Sequence, residues 1–479
     1  MRREKGSITI FSLLAILLVT AAIFALLEGT RLQELRRFAN LQTTAALEYA
    51  FAEYNTCLWQ SYHLLATDER HLATLLEEAA NGRQGSASNF LRFVPEAIDT
   101  RSYVRITDGE GEVFIQSVST YMKDNILYEA IKEIYSQYEA IKQVMDSSAL
   151  NESDISEALE EIKKLEESAM ETSVGTSSSK QGRSIDVRGL LEAAEQWKKM
   201  GILELMVKDT SKLSDAQIDL ENGLLERELK EGTEEGNHTT NWVDRILLQQ
   251  YLLTYMSNLQ AEKKDHALSY ELEYLLGKKG SDIENLKIVA TELLAIRQAS
   301  NFLYLLSNPV KLAQAESLAT LIGGASLNAV VIQLIKVALL TAWALAESVL
   351  DVRALLAGKK IALLKSEESW TLELSNIGEI TGDYMTAKES AWGINYETYL
   401  GLLLLLQNER NLAMHAMNAQ EATIRNVYGD EGFCLDNLVT QVEVEISYTY
   451  EPIFPFLRVI DAEKRWNYEI LGKDTYSYY

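Results

Sequence analysis

Proline is nearly absent, with four residues in a chain of 479, and cysteine is rarer still, with two. So few prolines leave long stretches without an obligatory helix breaker. The heavy load of Ala, Leu, Glu and Lys, side chains that lose little freedom on a helix, then points to a mostly helical body. Two cysteines exclude a disulfide-dense scaffold and any paired CxxC metal or redox motif. Cys57 and Cys434 permit one bond, tying the region after the membrane segment to the lead-in of the last strand; two free buried thiols fit the sequence equally well. There are five histidines, and only His63 and His71 come close to metal-ligand spacing, without an acid at the zincin position directly after the first. No phosphate-cradling glycine loop, HExxH or Gly-x-Ser-x-Gly elbow occurs. Acid pairs such as Glu160 and Glu161 are too common here to mark a hydrolase. No catalytic, cofactor or metal residue is assigned, and a non-enzymatic protein is the reading.

Positive charge is also short, with 45 Lys and Arg against 70 Asp and Glu and a formal net charge of −25. Such a chain repels phosphate backbones, and no Lys/Arg stripe offsets that, so nucleic acid is excluded as a partner. A chain this long, 47% hydrophobic and 24% charged, can bury a sizeable core.

What is present begins at the N-terminus. Ile8 to Leu27 carries no charge. At about 1.5 Å per residue, a helix of that length matches the roughly 30 Å hydrocarbon core, so the lipid bilayer is the partner of residues 8–27. Arg2, Arg3 and Lys5 precede the span while Arg31, Arg36 and Arg37 follow it, so flanking charge does not set the orientation. The short leader favours a cytoplasmic N-terminus with the acidic body outside, as a single-pass protein of the cell membrane. Ala25-Leu26-Leu27-Glu28 is a poor signal-peptidase site.

Beyond the anchor, apolar residues at Leu35, Phe38, Leu41, Ala45, Leu47 and Phe51 predict one helix from Arg31 to about Ala80, ended by Asn81 to Ser88. The aromatic residues along it, Tyr49, Phe51, Tyr54, Trp59 and Tyr62, read as a packed face. Tyr103 to Thr107, the turn Asp108-Gly109-Glu110-Gly111 and Val113 to Val118 read as a β-hairpin. Tyr121 to Met170 reads as two helices separated at Asn151 to Asp154, and 171–189 and 230–240 as flexible breaks. Trp242 to Leu276, Ser281 to Leu306 and Tyr396 to Arg425 read as helices, and 359–364 and 370–374 as short extended pieces. Leu318 to Leu356 is the most apolar region outside the anchor. A buried helix pair is preferred there to a second span, because Lys336 and Glu347 would each be costly in a bilayer. Lys336, Glu347, Asp351 and Arg353 are read as structural ion pairs, since buried charges of opposite sign pair. Val442 to Tyr450 alternates apolar with polar residues and predicts a half-buried strand, terminated by Glu451-Pro-Ile-Phe-Pro455.

The resulting fold class is α+β and predominantly α-helical, with an N-terminal transmembrane helix continuing into a long helix and a small antiparallel β-sheet. Its divisions are a leader and anchor (1–30), a membrane-proximal helix and hairpin (31–120), a helical insertion (121–240) and a helical core with the C-terminal strand (241–479).

Gly6-Ser7, directly before the span, resembles the cleavage junction of type IV prepilins and of TadE/TadG-like pseudopilins, which a cytoplasmic-face peptidase cuts after the glycine. Phe11 stands where those families carry a glutamate. Lys5-Gly-Ser-Ile-Thr-Ile-Phe11, Leu27-Glu-Gly-Thr-Arg31, Phe51-Ala-Glu-Tyr-Asn55, Ala344 to Lys359 and Lys365-Ser-Glu-Glu-Ser-Trp370 resemble a family of single-pass bacterial proteins encoded near tight-adherence (Tad, or Flp) pilus genes. The closing Val442 to Pro455 is similar to the end of TadE/TadG-like pseudopilins. The resemblance implies a structural or accessory component of a Tad-type pilus or secretion apparatus, with other subunits of that apparatus as partners. It implies no reaction. The alternative is a single-pass extracytoplasmic domain that binds or senses cell-wall or extracellular ligand.

Overall fold

A computed structural model describes residues 4–82, 94–123, 201–233, 240–323, 329–381, 384–450 and 468–479, with isolated positions between 132 and 143. The expected linker at 171–189, the break at Asn151 to Asp154 and the Pro-x-x-Pro ending lie outside these residues. The protein is predominantly helical with a small antiparallel sheet, as the composition and periodicity indicate. It divides into two compact units. One comprises Met1–Tyr121, Arg227–Thr240 and Gly432–Tyr479; the other comprises Met122–Glu226 and Asn241–Glu431. The C-terminal strand therefore belongs with the membrane-proximal helix and not with the helical core of 241–479. The expected insertion at 121–240 is likewise shared between the two units.

In the first unit, helix α1 runs unbroken through Glu4–Ala52, 49 residues. Hydroxyls inside its apolar half fold back onto their own helix: Ser12 donates to the Ile8 carbonyl (2.9 Å) and Thr20 to that of Ile16 (2.8 Å). This satisfies these hydroxyls within the helix itself. The second half of α1 buries Leu35, Ala39, Thr43, Ala46, Leu47, Ala50 and Phe51. That stripe is narrower than the expected one, and Phe38 and Leu41 are exposed. The helix does not reach Ala80. It stops at Ala52, and Asn55 caps a separate α2 (Thr56–Tyr62) by accepting from Leu58 N–H (2.8 Å). Helix α2 in turn ends at His63, which takes a left-handed conformation. Strand β1 (Thr67–Asp68) and α3 (Glu69–Gly82) follow.

Strand β2 (Val94–Arg105) does not form the expected hairpin, because the turn at 108–111 leads into helix α4 (Glu112–Lys123). Phe114, Val118 and Met122, four apart, are buried on one helical face. The partner of β2 is instead the distant β3 (Leu438–Tyr450), in antiparallel register from Val94↔Thr449 to Arg105↔Val439. Strand β4 (Tyr468–Ser477) and β1 pair along the other edge of β3. The predicted alternation on β3 is observed residue by residue: Val442, Val444, Ile446, Tyr448 and Tyr450 are buried in the core under α1, and the residues between them are half-buried. Where α1 crosses β4, Gly472 is required. A β-carbon there would collide with Thr43 Oγ1 and stand 2.9 Å from the Ala39 carbonyl oxygen.

The second unit contains α5 (Ile202–Met206), α6 (Trp242–Tyr255), α7 (Glu271–Gly277), α8 (Asp282–Ser307), α9 (Pro309–Gly323), α10 (Ala329–Leu356), α11 (Tyr396–Leu406) and α12 (Glu409–Val427). Most of 201–233 is irregular rather than helical. The expected helix Trp242–Leu276 is split by the loop after Tyr255, and the expected Tyr396–Arg425 by Asn408, whose side chain caps α12 through Asn411 N–H (3.0 Å). The extended pieces at 359–364 and 370–374 reduce to a single bridge, Ile361↔Ile394. From Leu339 to Leu355, α10 is largely enclosed by protein, with Trp343, Glu347 and Asp351 fully buried.

Candidate functional site

Three features carry functional weight, and the first is the free half of α1. Its apolar side chains from Ile8 to Leu27 are exposed along nearly their whole length, and the helix is long and apolar enough to cross a membrane. Gly6 and Ser7 lie near the start of this helix, with their side chains outside the described residues. Phe11 is exposed on the apolar surface. At the base of the span, Arg31 is buried, paired with Glu28 (3.0 Å) and placed over the Tyr450 ring (5.3 Å). The charge that ends the apolar run therefore also fastens the helix to the sheet.

The second feature is a buried charge network centred on α10. Glu347 and Asp351, one turn apart, both pair with Lys365 Nζ at 2.7 Å. Asp351 also receives Arg297 of α8 (3.0 Å) and Asn301 Nδ2 (2.9 Å). Glu347 accepts the backbone N–H groups of Thr371 and Leu372, both at 2.9 Å. Arg297 further donates to the Leu363 carbonyl (2.8 Å) and the Tyr399 hydroxyl (3.0 Å). Burial opposes its charge, but Tyr399 and Asp351 outweigh this and raise its pKa above the ordinary arginine value. Two acids and two bases make the cluster neutral, and its side chains are cut off from water. Such a cluster pins the 363–372 segment onto α8 and α10.

The expected charged residues are thus largely in place, with different partners. Lys336 and Glu347 are eleven residues apart on one helix, about 16 Å along its axis, and cannot meet. Lys336 pairs with Glu316 of α9 (2.9 Å) and is half-buried. Asp351 and Arg353, two apart, point to different sides of α10. Arg353 has no carboxylate partner among the described residues. It donates instead to the carbonyls of Leu205 (2.8 Å), Ile380 and Met385 (both 3.3 Å) and lies over the Tyr384 ring (5.1 Å), and burial lowers its pKa. The sequence reading missed Arg297, Asn301 and Lys365. A signal for the first two was available, since Leu293, Arg297 and Asn301 continue a buried stripe at helical spacing. Of the two possibilities left open for the cysteines, no bond joins Cys57 to Cys434, and both side chains are half-buried. Hydrogen bonding, not a covalent link, holds the turn around Cys57, with Asn55 N–H donating to the Ala66 carbonyl (2.9 Å).

The third feature is a cavity of about 1010 Å³ beside α9, lined by Asn308, Lys311, Gln314, Leu321, Trp343, Glu367 and Glu373 among others. Lys311 Nζ sits 4.5 and 4.7 Å from the ring centres of Trp343 and Trp370, and burial lowers its pKa. Both indole N–H groups donate to the Leu372 carbonyl, so this wall is rigid. Among the described residues no three His, Cys, Asp or Glu side chains converge as metal ligands would.

Residues 180–450 match the model of a family of unknown function, DUF5702, and the chain belongs to that family. The match covers the charge network, the cavity and β3, and leaves α1 outside. No curated protein and no solved structure matches the chain.

Proposed function

We propose that this member of a family of unknown function is a non-enzymatic, membrane-anchored structural or accessory subunit of a Tad-type pilus or secretion apparatus, with its N-terminus in the cytoplasm and its body outside. The observation that carries the reading is the single helix Glu4–Ala52, apolar and bare in its first half and locked onto an antiparallel sheet in its second. A helix without a break transmits force and position from the bilayer to the body. Its bare half offers the surface through which apolar helices of pilin-like subunits pack side by side. The buried network and the sheet act as scaffold in this reading, and no reaction is assigned to them.

Mass spectrometry of the chain extracted from its native membrane tests the processing step, and Ser7 at the N-terminus is the result expected. An intact Met1 or Arg2 start would contradict pseudopilin-like maturation. Cysteines placed in the span at Leu13 and Leu17 should crosslink to other apolar helices, and a span that crosslinks to nothing would contradict an assembly role. The cavity beside Lys311 supports the second reading, an extracytoplasmic domain that binds or senses a wall or extracellular ligand.

A further inference from the structure

Helix α7 is buried along its whole length and carries two acids, Glu271 and Glu273, and the N-terminus of α8 adds Asp282; all three are buried. Two of them are well provided for. Glu271 accepts from Ser257 N–H (2.9 Å) and contacts His266 Nδ1 (2.7 Å). Asp282 accepts from the Ser214 hydroxyl (2.7 Å) and from the N–H groups of Ser269 and Tyr270. Glu273 is different. Its Oε1 accepts from Leu259 N–H (3.0 Å) and the Tyr396 hydroxyl (2.7 Å), while its Oε2 is buried with no hydrogen-bond partner among the described residues. A buried carboxylate oxygen with no protein donor is costly as an anion and much less so once protonated.

We propose that Glu273 is a proton-binding site whose occupancy sets how tightly the 256–270 loop and α11 are held on α7. The proton comes from solvent water and bonds to Oε2, because Oε1 is already taken by two donors. Protonation removes the buried charge while the Leu259 and Tyr396 contacts stay in place. The surroundings favour the neutral form: burial is the main cause, with Asp282 adding repulsion, and Glu273 is pushed up to about 7. The other groups facing this pocket are the hydroxyls of Tyr270 and Tyr396, both raised by burial; the pair Glu271 and His266; and Glu262, Lys263 and Glu397 near them; on α12, which packs against α7, the His415 ring lies 6.0 Å from Tyr274. Asp282 is raised by burial and acts in the same direction as Glu273, whereas burial lowers His415, which acts in the opposite direction.

Because the folded chain holds this proton more tightly than the unfolded chain, the stabilisation is complete below the ordinary value of 4.5. It is lost as pH rises toward about 7, on the order of a hundredfold in the folding constant. Thermal unfolding of the full chain in lipid nanodiscs, wild type against Glu273→Gln, isolates this group from Asp282 and His415. The Tm of the variant relative to wild type should rise by roughly 5 °C between about pH 5 and about pH 8. A Tm difference that does not change with pH overturns the proposal. Infrared pH-difference spectra of the wild type give a second measure, should the variant fold poorly. A protonated-carboxyl band that titrates near neutral pH, and shifts in Tyr396→Phe, supports the site; no such band above about pH 6 overturns it.

Discussion

Among the described residues, α1 and α10 are the two helices long and apolar enough to cross a membrane, and they have opposite fates. None of the most apolar stretch of α1 is buried in the protein, against 56% for α10. The difference lies in where charge falls. Helix α1 has no charged side chain between Lys5 and Glu28, whereas α10 carries Lys336, Glu347, Asp351 and Arg353. Each of the last three would be costly in hydrocarbon, and each is met by protein: Lys365 and Arg297 for the acids, and backbone carbonyls for Arg353. Apolar content makes both helices candidates, and the supply of partners separates them.

That contrast can be broken from either side. The largest effect is expected at the network. Lys365→Met leaves Glu347 and Asp351 buried without their shared cation and should cost about 3–5 kcal/mol, read by denaturant unfolding of the second unit. A loss below about 1 kcal/mol would mean that the acids are not held by Lys365. In α1 the sensitivity is reversed. Leu17→Asp places a charge on the exposed apolar half of the helix, with no ion-pair partner among the described residues, and should disfavour membrane insertion by about 2.5–3.5 kcal/mol, measured as the membrane-integrated fraction, with little change in the folding of the body. The smallest of the three concerns how α1 meets its sheet. Gly472→Ala pushes a methyl into Thr43 and the Ala39 carbonyl and should destabilise the first unit by about 1–3 kcal/mol, seen as faster amide exchange along β4. Unchanged exchange would show that the helix and strand are not in contact there.

Much of this was legible in the sequence where a local pattern decides the structure. The span shows in a run of uncharged residues, β3 in strict alternation, and α8 in helical periodicity that places its ends within a residue of the observed Asp282–Ser307. What escaped depends on distant chain. The run Val113 to Val118 has strand-like composition, but the sheet is completed by β3, more than 300 residues away, and α4 forms instead. The breaks at Asn55, Ser257 and Asn408 are polar residues inside apolar periodicity, and their capping or turn role shows only in the fold. The four charged residues on α10 stood out as unusual. Their partners come from α8, α9, α5 and the 363–385 segment, which no spacing along α10 encodes. The orphaned oxygen of Glu273 is invisible until the loop and α11 close around it.

The central claim is that α1 alone crosses the membrane while α10 is the core of a body on the outer side. Single cysteines at Glu226 and Trp392, which precede and follow α10, test it in a chain whose Cys57 and Cys434 are replaced by alanine. An impermeant maleimide applied to intact cells should label both positions. Labelling of one position alone before permeabilisation would require a second span, and labelling of neither would place the body inside the cell.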